Sequence, residues 1–131
     1  MTNEEEILKK LLVDEKDILK DLENLVEKAK EIFVIEKSSG KIIFKNFNKL
    51  NDSQKVCALL AGKYFAKKSN IIKDYSLTVS EIGKEIGRPA TALSGPLKQL
   101  LVKNYVQKMQ DKKYEISYHR LQEILDHCGA K

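Results

Sequence analysis

Apolar residues recur at helical spacing in the first stretch of the chain, first as Ile7, Leu8, Leu11 and Leu12, then as Ile18, Leu22, Leu25, Ala29 and Ile32, so residues 3–31 read as helix. The second set steps four, three, four, three, the heptad step of a coiled-coil seam. Carried backwards, that seam would hold Glu15, which marks Asp14-Glu15-Lys16-Asp17 as a candidate break between two helices. Two readings of the seam stand side by side: a helix packed on its own domain, and a helix that joins two copies of the chain. After Ala29 the pattern shortens. Ile32-Phe33-Val34-Ile35 and Ile42-Ile43-Phe44 are β-branched and aromatic runs around Lys37-Ser38-Ser39-Gly40, so residues 32–47 read as a β-hairpin with Gly40 at a positive φ. Both faces of the hairpin carry apolar groups, and both are expected to be covered.

Helical spacing then returns. Asn51 with Gln54 three residues on is a capping box, and Val56, Leu59, Leu60, Tyr64 and Phe65 form the apolar stripe of a helix over 51–68, with Lys63, Lys67 and Lys68 on or near its exposed side. Thr78 and Glu81 make a second capping box, flanked by Leu77 and Ile82 as a hydrophobic staple. Ile82 and Ile86 share a face, and Gly87 stops the helix where a positive φ costs little. A second helix follows at once, with Pro89 suited to its first turn and Leu93, Leu97, Leu100 and Leu101 as its apolar face. Two short helices joined by a tight glycine turn have the layout of a helix-turn-helix. Beyond Asn104 the period changes to that of strands: Tyr105–Lys108 and Lys113–Ile116 flank the turn Gln110-Asp111-Lys112. Residues 118–128 close the chain as a short helix carrying Leu121, Ile124 and Leu125.

Gly95-Pro96 interrupts the second helix. Proline removes a backbone donor and clashes with the preceding turn, at roughly 3 kcal/mol in a helix interior. Two solutions are open: a kinked helix from Pro89, or a helix that starts near Ser94 with Ser94 as N-cap.

Here the chain resembles the winged helix-turn-helix superfamily, in the broad style of MarR-like regulators. The residues are Val79-Ser80-Glu81-Ile82-Gly83-Lys84-Glu85-Ile86-Gly87, then Pro89-Ala90-Thr91-Ala92-Leu93-Ser94, then Leu97 and Leu100, with 105–116 as the wing. The resemblance covers about half of the chain. It implies an α+β, mostly helical fold: a winged helix-turn-helix domain over 50–131, preceded by a helical and hairpin extension over 1–49. In such proteins the second helix enters the major groove and the wing lies along the backbone or minor groove. The resemblance therefore implies DNA contacts from Arg88, Thr91, Ser94 and Lys98 on the second helix, and from Lys84, Lys108, Lys112 and Lys113 on the backbone and wing. Arg88 stands where the family usually has an apolar residue.

Charge agrees with that placement. Residues 1–50 hold 10 lysines and 11 acidic residues, whereas residues 51–131 hold 14 basic and 8 acidic ones, so the net +5 arises wholly from the later part. Only Arg88 and Arg120 are arginines. Lysine meets phosphate as a point charge, while arginine offers the fork that reads guanine, so backbone contact is expected to outweigh base readout.

Other chemistry is thin. His119, Asp126, His127 and Cys128 are potential metal ligands without the converging set that zinc needs, and the last three are expected to sit in a frayed, exposed C-terminus. No phosphate loop, nucleophile elbow or catalytic carboxylate pair appears, so an enzyme is not expected, and neither is a cofactor. The tyrosines are expected mostly to pack. Cys57 and Cys128 stand far apart in the chain and fit a reducing compartment. The acidic start does not look like a signal peptide, no apolar run reaches membrane-spanning length, and a cytoplasmic location is expected. The leading expectation is a DNA-binding transcription regulator on double-stranded DNA, acting as a homodimer through the N-terminal helix. The alternative is a winged-helix module that binds protein in a larger assembly.

Overall fold

The structure, a computed structural model, describes residues 3–9 and 15–129. The architecture is α+β and mostly helical. In chain order come α1 (Asn3–Lys9), α2 (Glu15–Lys30), β1 (Phe33–Ile35), β2 (Ile42–Phe44), α3 (Asp52–Lys68), β3 (Leu77–Thr78), α4 (Val79–Ile86), α5 (Ser94–Val102), β4 (Val106–Lys108), β5 (Lys113–Ile116) and α6 (Leu121–His127). Of the expected N-terminal pattern, Leu11, Leu12 and Asp14 lie outside the described residues, as do the side chains of Leu8 and Ile18. Among the described residues no helix is long and apolar enough to cross a membrane.

α3 is the centre of the molecule. Its capping box forms as expected, with the Gln54 N–H donating to Asn51 Oδ1 at 2.8 Å and the Asn51 N–H donating to Gln54 Oε1 at 2.9 Å. Beyond its first turn the helix is buried nearly all round, from Val56 through Lys63 and again at Phe65 and Ala66. A helix apolar on every side belongs inside a layer of others, and α3 packs against α4, α5, α6, β5 and the β1–β2 hairpin. That surrounding explains a correction. Lys63, expected at the surface, is 8% exposed, and its ammonium pairs with Glu85 of α4 at 3.0 Å. A charge withdrawn from water needs such a partner.

One hydrophobic cluster runs from Ala29, Ile32, Phe33 and Ile42 through α3 to Ile82, Leu93, Leu97, Leu100, Ile116, Leu125 and Cys128. The later members of the heptad seam are thus consumed inside the chain's own core: Ala29 and Ile32 are buried and Leu25 packs against the same core. Lys28 of α2 also bridges to Asp126 of α6 at 2.6 Å. The hairpin pairs Phe33 with Phe44, Val34 with Ile43 and Ile35 with Ile42, and Gly40 takes φ +77° in its turn. The turn is tightened by Glu36, whose carboxylate accepts from the Ser38 and Ser39 hydroxyls and the Ser39 N–H; these bonds hold its pKa at about 2. Only one face of the hairpin is covered, contrary to expectation. Phe33 and Ile42 enter the core, while their neighbours Val34 and Ile43 remain 41% and 46% exposed. Alternation along a strand dictates this once one face packs on α3.

The C-terminus is also unlike the exposed end that was expected. Cys128 is buried, its thiol reaching the Gln54 carbonyl at 3.8 Å, and half-buried His127 places Nε2 3.2 Å from Ser53 Oγ. Gln54 closes the contact by donating to the His127 carbonyl at 3.0 Å. Cys57 and Cys128, remote in sequence, meet here as free thiols; their shared hydrogen bond, with burial, raises the Cys57 pKa well above the usual thiol value.

Candidate nucleic-acid interface

The expected binding residues stand on α4, α5 and the β4–β5 hairpin, and local chemistry fixes each element. α4 opens on its capping box: the Glu81 N–H donates to Thr78 Oγ1 at 3.2 Å and the Thr78 N–H to Glu81 Oε1 at 2.9 Å. The bond from the Thr78 backbone is the main cause of a lowered Glu81 pKa. The helix ends at Gly87, at φ +73° and ψ +34°, with the Arg88 N–H donating to the Gly83 carbonyl at 2.9 Å. Gly83 is needed for a different reason. A Cβ there would lie 2.5 Å from the Arg88 carbonyl oxygen, so the turn folds back over a bare α-carbon.

After extended Pro89 the chain makes a 3-10 turn over Ala90–Leu93 and continues as α5 from Ser94. This settles the Gly95-Pro96 question in favour of the late start. Pro96 falls in the first turn of α5, where no helical acceptor awaits its missing N–H. Ser94 is not the N-cap, however. It is already helical at φ −60° and ψ −44°, Leu93 takes the cap position, and no side chain caps the helix. The Ser94 hydroxyl donates instead to the Thr91 carbonyl at 3.5 Å. Leu93, Leu97 and Leu100 face the core. Thr91, Ser94, Gly95, Lys98, Gln99 and Val102 are exposed along α5 and the turn before it.

α5 ends in a Schellman-like turn. The Tyr105 N–H donates to the Leu100 carbonyl and the Asn104 N–H to the Leu101 carbonyl, both at 3.0 Å, with Asn104 at φ +62°. Arg120 donates to the neighbouring Lys103 carbonyl at 2.9 Å. The chain then enters β4, which pairs antiparallel with β5. A third strand, absent from the sequence reading, completes this sheet: β3 pairs with β5 through Leu77 with Tyr114 and Thr78 with Lys113, giving the order β3-β5-β4.

The eight candidate residues divide by what already holds them. Arg88 is an ion-pair partner of Asp52, at 3.1 Å, and Lys113 pairs with Asp74 at 3.5 Å. Asp74 is fixed for that role: the Ser76 N–H, foremost, and the Ser76 hydroxyl bond its carboxylate and lower its pKa. Lys108 lies over the Tyr114 ring, 5.8 Å from its centroid. Lys84, Lys98 and Lys112 are exposed and form no ion pair with a described residue, and Thr91 and Ser94 expose their hydroxyls on α5. With Arg88 and Arg120 both engaged within the fold, the free positive charge of this surface is lysine alone. That favours contact with phosphate over forked readout of bases.

Sequence reasoning passed over an aromatic cluster beside this region. Tyr64 stacks on Tyr118 with ring planes 3° apart and centroids at 5.7 Å, and meets Tyr75 edge-on at 5.3 Å. Tyr118 is nevertheless 57% exposed, so the tyrosines are not uniformly core residues. Glu115, beside Tyr75, has its pKa raised by burial first and by Asp74 second. Among the described residues no three His, Cys, Asp or Glu side chains converge as a metal site. No protein-family model matches the chain, and no curated protein or solved structure matches it either.

Proposed function

We propose that the segment from Leu77 to Ile116 is a winged helix-turn-helix that binds double-stranded DNA, with α4 and α5 as the two helices and the β4–β5 hairpin as the wing. The observation that carries this reading is the set of uncompensated lysines, Lys84, Lys98, Lys108 and Lys112, on three consecutive elements around a glycine-stopped helix pair. Thr91 and Ser94 are the groups of α5 that would meet base edges, and Arg88 and Lys113 contribute only by leaving Asp52 and Asp74. The protein would serve as a transcription regulator acting as a dimer, with the first fifty residues supplying the contact between protomers. Lysine-dominated contact makes affinity strongly salt-dependent. Four phosphate contacts correspond to a slope of about −3.6 in log K against log salt.

The test is fluorescence anisotropy with a random-sequence duplex at 50 and 200 mM salt, comparing wild type with a Lys98→Ala/Lys108→Ala/Lys112→Ala variant. The expected outcome is binding that weakens about a hundredfold over that range, with a slope reduced by about 3 in the variant. Wild type that leaves the duplex unbound at 50 mM salt overturns the reading. A protein-binding role for α5 then takes its place, favoured by Val102, which is 74% exposed at the end of the same helix.

A further inference from the structure

The structure carries a second surface, along the edge of α2 beside the core. Leu22 and Val26 follow each other at one helical turn and are 47% and 38% exposed. Val26 and Val34 line one shallow recess of about 250 Å³, and Val34 is the cross-strand partner of Ile43. The four side chains therefore form one apolar strip running from α2 onto the open face of the β1–β2 hairpin. Half of the large hydrophobic residues exposed among the described residues gather in it. A contiguous strip of this kind marks a contact surface, whereas scattered apolar residues mark nothing.

The charges beside the strip say what covers it. On the helix side, Glu23 and Glu27 follow Leu22 and Val26 and are exposed, and Glu27 also meets Lys30 of the same helix at 3.6 Å, a solvent-exposed pair that a second copy would have to share or displace. On the hairpin side, Lys41 and Lys45 stand two residues either way from Ile43, on the same outward face, and neither has an ion-pair partner among the described residues. The hairpin's one acid, Glu36, is already committed to Ser38 and Ser39. The helix end of the strip thus carries Glu23 and Glu27 with Lys30 beside them at the recess, and the hairpin end carries Lys41 and Lys45. That is the requirement of an isologous interface, in which each half of the patch meets the other half of an identical patch across a two-fold axis.

We propose that this face is a homodimer interface, in which α2 of each protomer lies on the β1–β2 hairpin of the other, with Glu23 and Glu27 opposite Lys41 and Lys45. This differs from a coiled-coil seam, because Leu25, Ala29 and Ile32 point into their own core. A 16-residue helix is about 24 Å long and about 10 Å wide. Counted twice by symmetry, its footprint gives roughly 480 Å² per protomer, below the roughly 800 Å² of a standard interface. An interface of that size belongs with weak, reversible contacts, so association is sought at micromolar concentration. The inference rests on the dimeric part of the function proposed above and not on DNA binding, so the two are tested apart.

Sedimentation velocity on the full chain tests this, without nucleic acid, between about 1 and 100 µM. Wild type passes from monomer to dimer mass across that range. Val26→Lys and Ile43→Lys each weaken association at least tenfold while far-UV circular dichroism and melting temperature hold; the two lie on different elements, so one suffices should the other fail to fold. Glu23→Lys/Glu27→Lys and Lys41→Glu/Lys45→Glu each weaken association about fivefold, and the fourfold variant restores it to within about twofold. A wild type that stays monomeric to 100 µM overturns the proposal. So does a dimer indifferent to Val26→Lys and Ile43→Lys, and so does a dimer that the combined charge reversal fails to restore.

Discussion

Arg88 Nη2 lies 3.1 Å from Asp52 Oδ2, which fastens the turn between α4 and α5 to the first residue of α3. Both side chains keep substantial contact with water, so the pair contributes less than about 1 kcal/mol to stability. Its larger effect is on charge. Asp52→Ala releases Arg88 and removes an acid beside the proposed DNA surface. Duplex affinity at 50 mM salt is expected to rise about threefold, with a slope about 1 unit steeper. Anisotropy titrations of that variant decide the matter; weaker binding would show that Arg88 must stay in place.

Three glycines of this region answer to different forces, and alanine separates them. Gly83→Ala puts a methyl 2.5 Å from a backbone oxygen that cannot swing aside, and is expected to cost about 2–3 kcal/mol. Gly87→Ala meets no atom within 4 Å but must hold φ +73°, at about 1–2 kcal/mol. Gly95→Ala also meets nothing, but a Cβ before Pro96 disfavours helical backbone and offsets the gain in helix propensity, so a change within about 1 kcal/mol is expected. Urea denaturation of the three variants would return that order. A loss at Gly95→Ala as large as that at Gly83→Ala would contradict the course of α5 described above.

Burial first, and the charge of Lys103 second, lower the pKa of His127. The unfolded chain therefore binds a proton at higher pH than the folded one does. Stability is full above the unfolded value near 6.5 and declines as pH falls through that value towards the folded one. Urea midpoints at pH 8, 7, 6 and 5 are expected to fall on the acid side, and His127→Gln should flatten that fall. The lowered carboxyls of Asp74 and Glu81 act in a separate window, because their contribution is lost only as pH drops below the ordinary carboxylate values.

Lys63 and Glu85 make a lopsided pair, the lysine enclosed and the glutamate half open. Glu85→Gln leaves the enclosed ammonium without its counter-charge and is expected to cost about 2–3 kcal/mol. Lys63→Met in the same chain should recover most of that loss, a difference thermal denaturation would resolve.

What was legible in the sequence is what neighbours decide. The two capping boxes, the stop at Gly87 and both hairpin turns arise within a few residues of one another, whereas the start of α5 was left open between two solutions. The candidate lysines were legible as residues, but not their engagements. Lys113 is held by Asp74, Arg88 by Asp52 and Arg120 by the Lys103 carbonyl, each across separate elements. The same applies to Ser53 with His127, 74 positions apart, and to β3, which at two residues has no period to detect. The uncovered face of the hairpin was misread because alternation reports that one face differs from the other only when their residues differ. Here both faces are apolar.

Thr78 belongs to two structures at once: it is the last residue of β3, paired with Lys113, and the cap of α4. The β4–β5 hairpin and α4 are thereby geared together. A force that tilts the hairpin away from β3 also draws the hydroxyl from the Glu81 amide, and a helix of two turns has little else to steady its first one. The exchange rate of that single amide proton is a gauge, read at α4, of what is being done to the hairpin.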